Sequence, residues 1–192
     1  AYNGQTIESS TPLTHDGSIV LYTWREKAGK KAFWHSSAHI LAQALQDLYP
    51  GIKLTIGPAI ETGFYYDVDF GEYNISEKDL EAIEEKMLEI ARGKHTFSLR
   101  STTKKEALDF YKKQANEYKV ELIENLEDGT ITFCDHDTFT DLCRGGHLPH
   151  TGFVKAVKLM SIAGAYWRGD EKNKQLTRIY GVSYPKQKEL KQ

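Results

Sequence analysis

Cysteine is scarce in this chain. Its 192 residues include two cysteines, Cys134 and Cys143, which are too few for a disulfide framework. The N-terminus lacks the basic, apolar and small-residue order of a signal peptide, and no apolar run approaches the length of a membrane span. We therefore expect free thiols, a cytoplasmic location and no membrane partner.

An excess of charge of either sign is also missing. The chain has 25 basic and 27 acidic residues, which gives a net charge of -2. This balance provides no general attraction to nucleic acid, so an RNA contact would depend on a local patch. The 40% hydrophobic and 27% charged fractions are those of an ordinary globular protein and argue against disorder.

One such patch is present near the C-terminus. The stretch "AYWRGDEKNKQLTR", residues 165–178, interleaves aromatic and basic side chains. This mixture suits the stacking and phosphate contacts of single-stranded RNA, but it is equally typical of an amphipathic hairpin with a solvated face. Composition alone favours the hairpin.

The N-terminal part differs in pattern from the rest. Residues 1–24 are short strand-like runs separated by turn signals at Asn3-Gly4, Pro12 and Asp16-Gly17. Such a β-rich piece is too small to bury a core of its own. The charged stretch "REKAGKK" that follows, residues 25–31, is expected to be a linker or the entrance to a helix.

Helical periodicity begins after this linker. Apolar residues repeat at helical spacing from Lys31 to Tyr49, and Pro50-Gly51 ends the pattern. Residues 53–70 alternate as in a hairpin, which would place Tyr65 and Tyr66 on opposite faces of a strand.

Two capping boxes mark later helices. Ser76 with Asp79 and Thr103 with Glu106 have the required spacing, whereas residues 131–184 consist mainly of strand-like runs. The predicted fold is α+β, with a long helix laid against an antiparallel sheet.

Two pairs of residues with the same spacing are candidates for a metal-binding or catalytic site. His35 and His39 are four residues apart on the predicted helix, and Cys143 and His147 are four apart in "CRGGH", where adjacent glycines predict a loop. Three imidazoles and a thiolate complete a tetrahedral zinc site. They also suit a pocket that activates water.

A nucleophilic cysteine with a histidine base is the third interpretation. The charge of Arg144 would help it by lowering the pKa of the Cys143 thiol. An inert buried thiol and a polar helix face are the plainer interpretations of the same residues. Spacing alone does not separate these alternatives.

The longer motifs resemble a known family. The segments "HSSAHILAQAL", "IGPAIETGFYYD", "YKVELIE", "DLCRGGH", "KLMSIAGAYWRGDEKN" and "LTRIYG" occur in this order. Together, over about residues 30–185, they closely resemble the N-terminal editing region of bacterial-type threonyl-tRNA synthetase. The resemblance implies that residues 1–24 are the remnant of a TGS-like domain, that 25–30 are a linker, and that 31–192 are the editing domain.

The resemblance also implies an activity, which is hydrolysis of the ester of mischarged Ser-tRNA(Thr) by an activated water, with Thr excluded. The residues that it implies for catalysis are His35, Lys119, His39, Cys143 and His147. Those that it implies around the substrate are Tyr66, Asp141, Gly145 and Arg144. In these roles His35 and Lys119 would position or deprotonate the water, Asp141 would hold the serine, and amides near Gly145 would face the oxyanion.

Cofactors and partners follow in the same way. The resemblance implies the acceptor end of tRNA(Thr) as partner, a monomer for this chain, and an editing pocket without metal. ATP, magnesium, zinc and a homodimer belong to the aminoacylation part of the full-length enzyme. Two alternatives remain, a structural zinc module that uses His35, His39, Cys143 and His147, and a tRNA acceptor-end binding appendage without chemistry.

The chain departs from the family at one position of its site. The family usually has Cys-Arg-Gly-Pro-His where this sequence has "CRGGH", so Gly146 replaces a proline. Glycine leaves more backbone entropy to be lost on folding, and we expect a looser loop.

Overall fold

The computed structural model describes residues 1–191 and contains four α-helices and eight β-strands. The helices are α1 (Lys27–Leu48), α2 (Leu80–Arg92), α3 (Lys104–Lys113) and α4 (Glu117–Glu124). The strands are β1 (Lys53–Leu54), β2 (Ala59–Ile60), β3 (Gly63–Asp69), β4 (Ser98–Ser101), β5 (Thr132–His136), β6 (Phe139–Leu142), β7 (Ala156–Tyr166) and β8 (Gln175–Tyr184). Within this described part, no helix is both long enough and apolar enough to cross a membrane.

The strands form two antiparallel sheets. The larger has the order β1-β3-β8-β7, with β2 also paired to β3, and the smaller has the order β4-β5-β6. Helices α1 and α2 share one hydrophobic core with the larger sheet. This arrangement confirms the predicted α+β class and the long helix against an antiparallel sheet; the division into two sheets was not predicted.

Helix α1 places His39 in the core and His35 at its edge. All its residues from Phe33 to Leu45 are buried except His35, which is half-buried. The helix begins at Lys27, so the charged stretch is the entrance to a helix, the second of its two interpretations, and residues 27–30 are not a linker. The Glu26 carboxylate accepts hydrogen bonds from the Thr23 backbone N–H and hydroxyl, which fixes the chain just before the helix.

The N-terminal segment is less regular than predicted. Residues 1–24 contain isolated bridges between Tyr2 and Gln5 and between Tyr2 and Ile19, but no strand, although the structure describes all of them. The strand-like runs predicted here are reduced to these bridges, because strands need partners and most of this segment is exposed. Glu8 is the only buried residue of these 24.

The structure confirms the two capping boxes and the strand alternation predicted for the middle of the chain. Both capping boxes form, the first before a 3-10 turn at Glu77–Asp79 and the second at the start of α3. Strand β3 buries Tyr66 towards the core, and Tyr65 on the other face stacks on Arg178, whose guanidinium lies 3.9 Å from the ring centre. The alternation predicted from sequence is thereby confirmed.

The aromatic and basic stretch forms the β7–β8 hairpin. Trp167 is buried, and its indole N–H donates to Glu121. Arg168 pairs with the same Glu121 at 2.7 Å, and Lys174 pairs with Asp69 at 2.7 Å. Carboxylates therefore neutralise much of the positive charge, as expected for a structural hairpin.

Candidate functional site

A cavity of about 600 Å³ lies between the two sheets. Its wall includes α1, α4, β3, β6 and the loop after β6. All the site residues predicted from sequence line it except His147, which is buried behind Cys143; the lining ones are His35, His39, Tyr66, Lys119, Asp141, Cys143, Arg144 and Gly145. The fold therefore brings these predicted residues to one place.

Three histidines surround the Cys143 sulfur. His35 Nε2 lies 3.0 Å from Sγ, and His147 Nε2 lies 3.3 Å from it. The rings of His35 and His147 stack with centroids 4.8 Å apart, and the His39 ring stands edge-on to both. The two pairs with i, i+4 spacing thus form one compact cluster.

Burial controls the protonation of this cluster. It lowers the pKa of His35 to about 4 and holds that of His39 well below the usual value. It raises the pKa of Cys143 to about 12, so the group is a thiol at neutral pH. The expectation that Arg144 lowers this pKa is wrong, because Arg144 is exposed and burial dominates. A nucleophilic Cys143 is therefore disfavoured.

A buried ionic network forms the floor of the cavity. Lys119 Nζ lies 2.6 Å from Asp141 Oδ1, and the Tyr66 hydroxyl donates to Asp141 Oδ2 at 2.7 Å. Lys119 Nζ also reaches the Tyr66 oxygen at 3.3 Å. His39 Nδ1 lies 3.6 Å from Asp141 Oδ2. This distance is too long for a hydrogen bond but close enough for an electrostatic interaction with the carboxylate.

Two residues that support this network were missed by the sequence analysis. The Tyr111 hydroxyl lies 3.5 Å from Asp141 Oδ1 and accepts the Leu142 N–H at 2.9 Å. Asn116 caps α4 by accepting the Lys119 N–H, and its amide donates to the Leu54 carbonyl. Asn at a helix start is a recognisable N-cap signal. Nothing local in the sequence distinguishes Tyr111 from other apolar-face residues of α3.

The loop after β6 is fixed at both ends. The Cys143 N–H donates to the Thr132 carbonyl, and the Thr132 hydroxyl donates to the Cys143 carbonyl. The Leu148 N–H donates to the Ser36 hydroxyl on α1 at 2.8 Å. The Gly145 N–H points at Cys143 Sγ, 3.4 Å away. Because the next two N–H groups, at positions 146 and 147, both donate to Glu8, the prediction that these amides face an oxyanion does not agree with their observed partners.

The residues of the cluster fit a zinc ion chemically. The four candidate ligand atoms, on His35, His39, Cys143 and His147, lie within 4.8 Å of one another. Tetrahedral zinc, with bonds of about 2.0–2.3 Å, would hold its ligands roughly 3.3–3.8 Å apart. Small side-chain shifts would satisfy that geometry, and zinc would have to displace the thiol proton.

A fourth histidine lies beside this cluster without a partner. His136 is buried between the rings of Phe97 and Phe139, and neither ring nitrogen has a hydrogen-bond partner among residues 1–191. Burial lowers its pKa to about 3. An unsatisfied buried polar group costs about 1–3 kcal/mol. His136 therefore destabilises the fold locally.

Replacing His136 by phenylalanine is expected to raise the free energy of unfolding by about 1–2 kcal/mol at pH 7. The folded-state pKa is below the unfolded value, so protons bind the unfolded chain first and stability falls as pH drops from about 6.5 towards 3. His136→Phe should reduce that slope by up to about 1.4 kcal/mol per pH unit. Urea unfolding at pH 7 and 4.5 measures both effects, with exposed His15→Phe as control.

Comparisons with known proteins agree with this site. A model of the family described as "Threonyl and Alanyl tRNA synthetase second additional domain" matches residues 130–180, which contain β5, β6 and the loop with Cys143 and His147. Residues 130–180 are thus similar to an accessory domain of these synthetases.

Curated proteins with high sequence identity to this chain are named threonine--tRNA ligases. The chain is 69% identical over 190 residues to a "Threonine--tRNA ligase" of Flavobacterium johnsoniae, covering 99% of this chain and 29% of the relative. It is 58% identical to that of Cytophaga hutchinsonii and 57% to that of Porphyromonas gingivalis, in each case over 98% of this chain and 29% of the relative. These matches confirm the predicted resemblance to threonyl-tRNA synthetase. The chain spans about 29% of the length of these relatives.

Proposed function

We propose that this chain is a post-transfer editing domain that hydrolyses the ester of Ser-tRNA(Thr) and spares Thr-tRNA(Thr). The observation that carries the proposal is the buried Lys119–Asp141–Tyr66 network beside His35 in one cavity. Buried charges are costly, and such networks with perturbed neighbours are typical of binding and catalytic sites. The similarity to threonine--tRNA ligases supplies the substrate class.

The need for such an activity follows from the chemistry of the two amino acids. Serine lacks one methyl group of threonine, and a binding pocket rejects a substrate that lacks one methyl by only about 1–3 kcal/mol, or roughly 10–200-fold. A second pocket that admits serine and excludes threonine by size raises the overall accuracy. The cavity volume of about 600 Å³ is in the range of small-ligand sites and suits an aminoacylated terminal nucleoside.

His35 is the proposed holder of the attacking water. It is the one member of the histidine cluster that is only half-buried, and it lines the cavity. With a pKa of about 4 it is neutral at physiological pH and can accept a hydrogen bond from water. Because so weak a base removes a proton poorly, its main contribution is to orient the water at the ester carbon.

Lys119 is the proposed source of positive charge. Its Nζ atom forms an ion pair with Asp141 Oδ1 at 2.6 Å, so in this role the residue supplies charge and is not assigned the part of a base. At the wall of the cavity, this buried charge would stabilise the oxyanion that develops on the ester carbonyl. Asp141 and Tyr66 hold the ammonium in place, and the remaining lone pairs of Asp141 are available to the serine ammonium.

His39, Cys143 and His147 are proposed to shape the pocket around these groups. His39 and His147 are buried, and Cys143 hydrogen-bonds to two rings. Arg144 is exposed at the rim of the cavity, where it could contact phosphate of the tRNA acceptor end. An activated ester needs a well-placed water more than a covalent intermediate, so none of these residues is assigned a nucleophilic role.

The proposal is tested by incubating the protein with Ser-tRNA(Thr) and Thr-tRNA(Thr) and following loss of each ester. We expect the seryl ester to be lost at least about tenfold faster than the threonyl ester. Equal rates would contradict the second-pocket mechanism. Tight binding without loss of either ester would favour the acceptor-end binding alternative.

A zinc module is the second candidate, because four candidate ligand atoms lie within 4.8 Å of one another. A bound zinc would act as a Lewis acid and lower the pKa of a coordinated water. Without a metal requirement, a strong chelator should change neither seryl-ester hydrolysis nor the melting temperature. If the chelator unfolds the protein, the cluster is a structural zinc site, because metal binding and folding are coupled.

A further inference from the structure

Glu8 is the one N-terminal side chain that reaches the site. Its Oε1 atom accepts hydrogen bonds from the Gly146 N–H and, at 3.4 Å, from the His147 N–H. It also lies 3.3 Å from His147 Nδ1. The side chain is 7% exposed in a segment whose other residues are mostly exposed. A single carboxylate thus joins the N-terminal segment to two successive backbone amides, those of Gly146 and His147.

The backbone at this point has a conformation that requires glycine. Gly145 has φ = +101° and Gly146 has φ = +90°. A Cβ on Gly145 would lie 2.7 Å from Glu8 Oε1, so the carboxylate packs directly on that residue, whereas a Cβ on Gly146 would meet no atom within 4 Å. Successive N–H groups with such angles form a concave anion site.

Proline at position 146 does not fit this arrangement. Its ring fixes φ near -65°, and it has no N–H to donate. The hydrogen bond from the backbone N–H of position 146 to Glu8 therefore requires a residue other than proline there. The looser loop stays a prediction; the N–H of Gly146 is held by a buried carboxylate.

We propose that Glu8 is a positioning residue that fixes the Cys143–His147 loop and the orientation of the His147 ring. Charge supports this role: burial raises the pKa of Glu8, but the hydrogen bonds from His147 and Gly146 outweigh it and leave the pKa below its usual value. Glu8 is thus a carboxylate at neutral pH. His147 in turn contacts the thiol of Cys143, which lines the cavity. Glu8 therefore acts on the cavity wall through the His147 ring.

The direct test is amide hydrogen exchange of Gly146 and His147, followed by NMR in the whole protein. Glu8→Ala should accelerate exchange at both amides at least about tenfold, because their acceptor is removed. Glu8→Gln keeps an acceptor oxygen and should give an intermediate rate. Asp16→Ala, which removes an exposed carboxylate of the same segment, should change neither amide. Unchanged exchange in Glu8→Ala would overturn the proposal.

A double-mutant cycle checks the pairing of the two residues. Gly146→Pro should destabilise the wild-type protein more than it destabilises Glu8→Ala, by about tenfold in the unfolding constant, because it leaves the Glu8 carboxylate without its main donor. Additive effects would mean that Glu8 and Gly146 do not interact, and would contradict the proposal. Gly146→Ala retains the N–H and should show no such coupling.

The effect on hydrolysis rests on the proposed function. Glu8→Ala should lower kcat for the seryl ester about tenfold with little change in KM, and Glu8→Gln should restore part of it. Faster hydrolysis in Glu8→Ala would overturn the inference, because Glu8 would then compete with the substrate for the amides. If the wild-type protein hydrolyses no seryl ester, the proposed function fails, and the exchange measurements still decide on Glu8.

Discussion

Lys119→Met is expected to lower the free energy of unfolding by about 3–5 kcal/mol and to abolish seryl-ester hydrolysis. Its ammonium is the only cation within hydrogen-bond distance of buried Asp141 among the described residues, at 2.6 Å. Removing it leaves a buried carboxylate whose remaining hydrogen-bond donors are the hydroxyls of Tyr66 and Tyr111. At roughly 2–4 °C per kcal/mol for a protein of this size, the melting temperature should fall by about 6–20 °C.

A surface ion pair provides the matched control. Lys53 and Glu117 have a similar separation, 2.7 Å, but both side chains are partly exposed. Lys53→Met should therefore cost no more than about 1 kcal/mol. A Lys119→Met loss no larger than this would contradict the assignment of a buried ionic network.

A second substitution separates stability from catalysis. Lys119→Met combined with Asp141→Asn removes both charges and keeps an acceptor for the Tyr66 hydroxyl. The double variant should recover much of the lost stability, since no uncompensated charge remains, while hydrolysis stays absent. Recovery of hydrolysis together with stability would show that Lys119 acts only through folding.

His35→Ala is expected to reduce seryl-ester hydrolysis by about 10²–10⁴-fold while the acceptor end of the tRNA still binds. The Cys143 thiol keeps His147 as a partner at 3.3 Å, so the cluster loses one ring without leaving the sulfur alone. The loss in stability should be small beside that of Lys119→Met. Single-turnover deacylation and filter binding measure the two quantities separately.

The pH profile gives an independent check on His35. Its neutral form is present above a pKa of about 4, so hydrolysis should change little from pH 5 to 8 through this group and decline only near pH 4. Exposed His15→Ala is the control and should leave hydrolysis unchanged. Full activity in His35→Ala would remove this residue from the mechanism, and loss of binding together with hydrolysis would favour a binding role.

Local patterns predicted the elements well where neighbouring residues decide the structure. The capping boxes at Ser76 and Thr103 form because side chain and backbone lie within one helical turn. The alternation in β3 was read correctly because successive side chains must face opposite sides of a strand. The charged stretch 25–31 left a linker and a helix entrance open, and the contact between Thr23 and Glu26 just before Lys27 has no recognised signal in the sequence pattern.

The residues of the candidate site were identified through the resemblance of several motifs, and not through spacing alone. Spacing placed His35 and His39 on one helix and Cys143 and His147 in one loop, but left zinc, a nucleophile and a water-holding pocket open. Burial decided against the nucleophile, since it raises the pKa of Cys143 to about 12. That environment is a property of the packed chain and has no local sequence signal.

The sequence by itself determined the α+β class, the two capped helices, the alternating strand and the set of polar residues that meet in the cavity. Only the tertiary structure decided that Lys119, Asp141 and Tyr66 form a buried network supported by Tyr111, and that Glu8 reaches the loop 138 residues away to accept the Gly146 N–H. Helices, caps and strands depend on interactions between residues a few positions apart. Charge states and long-range hydrogen bonds depend on burial and on distances between distant segments, which exist only after the chain has folded.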